Sequence, residues 1–147
     1  GNVYDHFNCV FEWPSGVPAF SPCRQWVGAS TDVSDHVFGS KGVARLQSHR
    51  IEGAKPWRWR SEEPNDMYQN EHDALFASIR KGEPIDDSLH MCKSTLMAIM
   101  GRMAAYTGQT ITWEQALASE LDLSPPEYAW TEMDVRPVAV PGVTKFV

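Results

Sequence analysis

Five side chains near the start of the chain carry donors, acceptors and a thiol from which a binding face could be built: Tyr4, His6, Asn8, Cys23 and Gln25. Tyr4, His6 and Asn8 alternate with mostly apolar neighbours, so an extended strand presents all three on one side. If Ser15-Gly16 is a two-residue primed turn, Phe11 faces Phe20, His6 faces Gln25 and Asn8 faces Cys23. The five then share a flat polar surface, suited to a hydroxylated ligand or a subunit interface. A plain solvated face stands level with that reading. A three-residue loop shifts the register and turns the second strand over. In the two-residue register Cys23 also approaches His6, as nucleophilic thiol chemistry requires. No surrounding signature supports that pairing, and a buried or interfacial cysteine is the preferred reading.

Other chemistry-bearing residues are less well placed. Glu71-His72-Asp73 has metal-binding residue types, but adjacent helix positions diverge and cannot converge on one ion. His72 lies on an apolar stripe and reads as a satisfied, half-buried histidine. His90 and Cys92 diverge for the same reason, and no H-x-x-x-H, C-x-x-C or H-E-x-x-H spacing occurs, so no metal is expected. Lys55-Pro56-Trp57-Arg58-Trp59-Arg60 interleaves cations with aromatics in the manner of single-strand binders. The preferred reading is an extended segment with its Trp rings docked inward and its Arg heads in solvent. No G-x-G-x-x-G or Walker sequence offers a phosphate cradle.

The elements that must position these residues change character along the chain. Alternation predicts a strand over Val3–Trp13, a turn at Pro14-Ser15-Gly16 and a returning strand over Val17–Val27. Pro18 and Pro22 place the returning strand near an edge or bulge. A second hairpin follows: Ser34–Phe38, a turn at Gly39-Ser40-Lys41-Gly42, then Val43–Ser48, with a short strand over Arg50–Gly53. From Asn65 the period becomes helical. Tyr68, His72, Leu75, Phe76 and Ile79 form a stripe between Asn65-Asp66 and a stop at Gly82, with Pro84 beyond. A longer helix carries Leu89, Cys92, Leu96, Ile99, Met103 and Tyr106 from Asp86 or Asp87 to Gly108, its Leu96–Ile99 stripe expected to face the sheet. A row of small residues beside it (Ser94, Ala98, Gly101, Ala105) admits close approach by another element. Thr112-Trp113-Glu114-Gln115 has capping-box spacing and opens a third helix to about Ser119. The Pro-rich tail is expected to run extended, anchored by Tyr128 and Trp130. Strands first and helices second predict an α+β fold, a mainly antiparallel open sheet with helices packed on one face, forming a single domain over 1–147.

Composition narrows the classes of function. The 147 residues carry 19 acidic and 13 basic side chains, a formal charge of −6, which opposes nucleic-acid binding. No apolar run is long enough for a membrane span. Sixteen aromatics, six of them Trp, argue against wholesale disorder. The three cysteines, Cys9, Cys23 and Cys92, cannot all pair within one chain and are expected as thiols. With a strand pattern beginning by Val3, the chain is expected to be a piece of something longer.

Several stretches in order resemble the C-terminal domain of the Gfo/Idh/MocA-type oxidoreductases, in their bacterial branch. They are Asn2-Val3-Tyr4-Asp5-His6-Phe7, Cys23-Arg24-Gln25, Asn70-Glu71-His72-Asp73 through Leu75-Phe76, and Ile79-Arg80-Lys81-Gly82-Glu83-Pro84. Lys93-Ser94-Thr95, Ala98 through Gln109, Thr112-Trp113-Glu114 and Pro141-Gly142-Val143-Thr144 continue the set. The resemblance implies a two-part enzyme whose missing N-terminal Rossmann domain binds NAD or NADP. The C-terminal domain supplies a substrate wall and an oligomer interface, and typical substrates are sugars, inositols and other polyols oxidised by hydride transfer. The family's catalytic Glu-Lys-Pro lysine has no counterpart here. Asp32 and His36 precede a sheet strand rather than lying on the family's helix, so no catalytic role passes to them.

The resemblance therefore predicts a substrate-wall and oligomerisation domain of an NAD(P)-dependent sugar or polyol oxidoreductase, with no cofactor site of its own and no activity in isolation. It would pair with a Rossmann domain and with further copies of itself. The alternative is a non-catalytic binding or scaffold protein that retains the fold. The cytoplasm is the default compartment, with export of the parent left open because some relatives are exported with their cofactor bound.

Overall fold

A computed structural model describes residues 2–62 and 65–147. It shows a mixed α+β chain with two antiparallel sheets and three helices. Its internal contacts gather into two compact units, Gly1–Gly28 with Asp86–Val147, and Ala29–Ile85.

The first unit is built on a hairpin, β1 (His6–Glu12) and β2 (Pro18–Arg24). The connection is the three-residue loop Pro14-Ser15-Gly16. The Gly16 amide donates to the Trp13 carbonyl at 2.8 Å, and the Trp13 amide donates to the Val17 carbonyl at 3.2 Å. Gly16 sits at φ +79°, a left-handed conformation that suits glycine and closes this loop type. The resulting register pairs His6 with Arg24, Phe7 with Cys23, Asn8 with Pro22 and Val10 with Phe20. The two-residue alternative, with Phe11 opposite Phe20 and His6 opposite Gln25, is not the one adopted. Pro18 and Pro22 do lie on an edge strand, as their missing donors require.

Helix α2 (Ser88–Thr107) packs on this hairpin at Gly101, while Ser94 and Ala98 of the small-residue row stay exposed. A Cβ placed on Gly101 would lie 2.9 Å from Phe11 Cζ and 3.6 Å from Cys9 Sγ, so glycine is what permits the close approach. The Cys9 thiol donates to the Gly101 carbonyl at 3.1 Å. The large stripe turns elsewhere. Met103, near the opposite side of α2, is buried with Ile111 and Ala116, and Leu96, Met100, Ala104 and Phe146 pack around them. Leu96 therefore faces the third helix rather than the sheet, and Ile99 remains partly exposed. Helix α3 (Trp113–Ala118) opens with the predicted capping box: Thr112 Oγ1 accepts from the Gln115 amide, and Gln115 Oε1 accepts from the Thr112 amide.

The tail is pinned further along than expected. Tyr128 and Trp130 are solvent-exposed and anchor nothing. The Gly142 amide instead donates to the Thr107 carbonyl at 2.8 Å, Ala139 accepts from the Tyr4 hydroxyl at 2.6 Å, and Phe146 joins the core.

The second unit is a four-stranded meander, β3 (His36–Gly39), β4 (Gly42–Arg45), β5 (Arg50–Gly53) and β6 (Trp57–Arg58), followed by α1 (Met67–Lys81). A 3₁₀ turn over Leu46–Ser48 takes part of the segment expected to be strand. Asp66 caps α1 by accepting from the Tyr68 and Gln69 amides, and Gly82 at φ +71° ends it. None of the buried apolar residues among those described lies in this unit. Trp57 and Trp59 are exposed rather than docked inward, and the stripe residues Tyr68, Leu75, Phe76 and Ile79 on α1 are exposed as well. His72 is not half-buried: it is exposed, with its ring nitrogen 2.7 Å from the Tyr68 carbonyl.

Candidate functional site

The adopted register divides the five candidate residues. Residues of like parity in β1 and β2 share a face. His6, Asn8 and Val10 lie with Phe20, Pro22 and Arg24 on the outer face, whereas Phe7, Cys9 and Phe11 turn toward α2. Cys23 pairs with Phe7, and the Gln25 amide donates to the Asp5 carbonyl at 2.7 Å. Both positions therefore fall in register with the α2-facing row, apart from His6 and Asn8. A Cys23–His6 nucleophile pair does not form.

Tyr4 leaves the strand pattern altogether. Its ring centroid lies 4.5 Å from that of Tyr106, its amide donates to the Tyr106 hydroxyl at 3.2 Å, and its own hydroxyl holds the tail at Ala139. Tyr4 is a structural clasp between the first strand, α2 and the tail.

What the register does assemble is a polar outer face around His6. The imidazole Nδ1 is 2.7 Å from Asp5 Oδ1. That contact, helped by the Trp26 indole, holds the Asp5 carboxyl below its ordinary range. The Trp26 ring stands edge-on to His6 at 5.0 Å, and the Arg24 guanidinium lies 5.7 Å from the Trp26 centroid. Asn8 remains exposed beside them. Arg24 and Trp26 escape a reading based on the two-residue turn. Their signal is the parity of Phe20, Pro22, Arg24 and Trp26, which matches His6 and Asn8 once Pro14-Ser15-Gly16 is taken as the loop. The arrangement offers a carboxylate, an imidazole, an amide and a guanidinium around a half-exposed indole, groups able to hydrogen-bond a hydroxylated molecule lying along the ring.

Cysteine environments differ sharply. Burial is the main cause that raises the Cys9 thiol, with Cys23 nearby adding to it, whereas Cys23 and Cys92 are exposed. All three are free. Among the described residues, no three His, Cys, Asp or Glu side chains gather closely enough to hold a metal ion.

Some first-turn amides are taken by the chain's own side chains: Tyr68 and Gln69 by Asp66, Ser88 by Asp86, and Gln115 by Thr112, whereas the α2 N-cap Asp87 makes no side-chain cap bond. No helix among the described residues is long and apolar enough to cross a membrane.

Compared with the models of protein families, with curated proteins and with solved structures, the chain matches none.

Proposed function

We infer that this chain is the substrate-wall and oligomerisation domain of an NAD(P)-dependent oxidoreductase acting on a sugar or polyol, with hydride chemistry supplied by a cofactor domain outside it. The observation that carries the reading is the outer face of the β1–β2 hairpin. Asp5, His6, Asn8, Arg24 and Trp26 stand there beside Val10 and Phe20, which are 60% and 70% exposed. A cross-strand apolar pair left open beside these polar residues is the composition of a surface meant to be covered. The ordered stretches from Asn2 to Thr144 noted above supply the enzyme class.

In this reading the hairpin face meets substrate hydroxyls or the same face of a second copy. A two-fold axis through Asn8 would set the strand face against itself. Asn8→Lys would then place two ammonium groups across the axis while leaving the hairpin folded. Light scattering on the wild-type chain should show a dimer at high micromolar concentration, and Asn8→Lys should shift it to monomer with an unchanged circular dichroism spectrum. A wild-type chain that stays monomeric at that concentration removes the interface half of the reading.

A further inference from the structure

A cavity of about 360 Å³ opens in the first unit between α2, the segment after α3, and the returning tail. That volume lies within the range of small-molecule sites. Its walls are largely apolar, with Met103, Leu121, Leu123, Val138 and Phe146 contributing. Three cations border it, Arg102, Arg136 and Lys145, and no aspartate or glutamate does. In a chain with a formal charge of −6, three cationic side chains at one cavity run against the composition.

The cations are held in place, and among the described residues only Arg136 of the three has a carboxylate acting on it, that of Asp122. The Arg102 guanidinium lies 4.7 Å from the centroid of the Tyr106 ring, which fixes its plane while leaving its N–H edges to other acceptors. Arg136 gives one N–H to the Asp122 main-chain carbonyl at 2.9 Å, and the Asp122 carboxyl, held below its ordinary range mainly by its hydrogen bonds from Ser124, also feels the Arg136 charge. Among the described residues, none of the three makes an ion pair. The Tyr106 hydroxyl accepts the Tyr4 amide proton, so its own proton is available to a further acceptor.

We propose that this cavity binds a small amphipathic carboxylate: an apolar body against Met103, Leu121 and Phe146, and one anionic head among Arg102, Arg136 and Lys145. The apolar walls supply non-directional affinity, and the guanidinium and ammonium groups select charge through charge-assisted hydrogen bonds. The site is separate from the hairpin face and does not rest on the oxidoreductase reading.

Four probes on the full chain test it without any mutation: decanoate, decanol, decylamine and acetate, each followed through the Met103 methyl resonance. Decanoate should bind saturably, and decanol should bind at least about tenfold more weakly, the discrimination that one charge-assisted contact provides. Decylamine should bind more weakly still, and acetate, lacking the body, should not saturate. Arg136→Gln and Lys145→Gln lie on the exposed tail, and each should weaken decanoate about tenfold while leaving decanol unchanged. The proposal is overturned if decanol or decylamine matches decanoate, if neither tail variant affects decanoate, or if decanoate leaves the Met103 methyl unmoved at millimolar concentration.

Discussion

Replacing Gly101 tests the helix–hairpin contact that positions the outer face. Two effects oppose each other. Glycine in a helix interior costs about 1 kcal/mol relative to alanine, so adding a side chain favours the helix itself. Against that, the first added carbon lies 2.9 Å from Phe11 Cζ. That atom is the tip of a half-buried ring, which can tilt by a few tenths of an ångström. Gly101→Ala should therefore fall within about 0.5 kcal/mol of wild type, the helix gain offsetting a small packing cost. Gly101→Val keeps only about 0.4 kcal/mol of the helix gain and sets two methyl groups against Phe11 and Cys9, where overpacking costs about 1–3 kcal/mol. Its net loss should be about 0.5–2.5 kcal/mol in urea melts. Pairing it with Phe11→Leu shortens the opposing ring and should recover about 1 kcal/mol or more beyond additivity. If Gly101→Val is as stable as wild type, or if the two changes add within about 0.5 kcal/mol, α2 does not approach β1 at this point.

Three further outcomes follow from local geometry. Thr112→Ala removes the hydroxyl half of the α3 capping box and should cost about 1 kcal/mol in thermal or denaturant melts. A thiol reagent under native conditions should modify Cys23 and Cys92 quickly and Cys9 slowly, because Cys9 is buried and its thiolate disfavoured; all three reacting at one rate would contradict the packing. The folded Asp5 carboxyl lies below its unfolded value, so the Asp5–His6 contact contributes fully above the ordinary aspartate range near about 3.9 and fades as pH falls through the lower folded value. Carboxyl-detected NMR titration should show that depressed value in wild type and its return upward in His6→Ala.

Local signals in the sequence carried further than long-range ones. Asp66 and Gly82 bounded α1, Thr112 and Gln115 opened α3, and Gly108 closed α2, because caps are chosen by a few adjacent amides and carbonyls. The hairpin was legible as an element but not in register. Pro14-Ser15-Gly16 can close as two residues or three, and the left-handed Gly16 is compatible with both. That single difference moved Cys23 and Gln25 into the other row and brought Arg24 and Trp26 to His6. Which row of α2 meets the hairpin was likewise open. Stripe amphipathicity says that Leu96 and Met103 are buried, not which neighbour buries them, and the close contact went to Gly101. Tyr128 and Trp130 show the same limit, since a large ring predicts a wish for cover and not its presence.

The most direct test of the oxidoreductase reading is cofactor reduction by the protein translated from the complete reading frame that contains this chain. Given a panel of sugars, inositols and linear polyols, that protein should reduce NAD or NADP with at least one substrate, read from nicotinamide absorbance. Substitution of Trp26 or Arg24 on the hairpin face should raise KM for that substrate. A complete protein that neither binds nor reduces either nicotinamide would contradict the assignment and leave the hairpin face to a non-catalytic binding role.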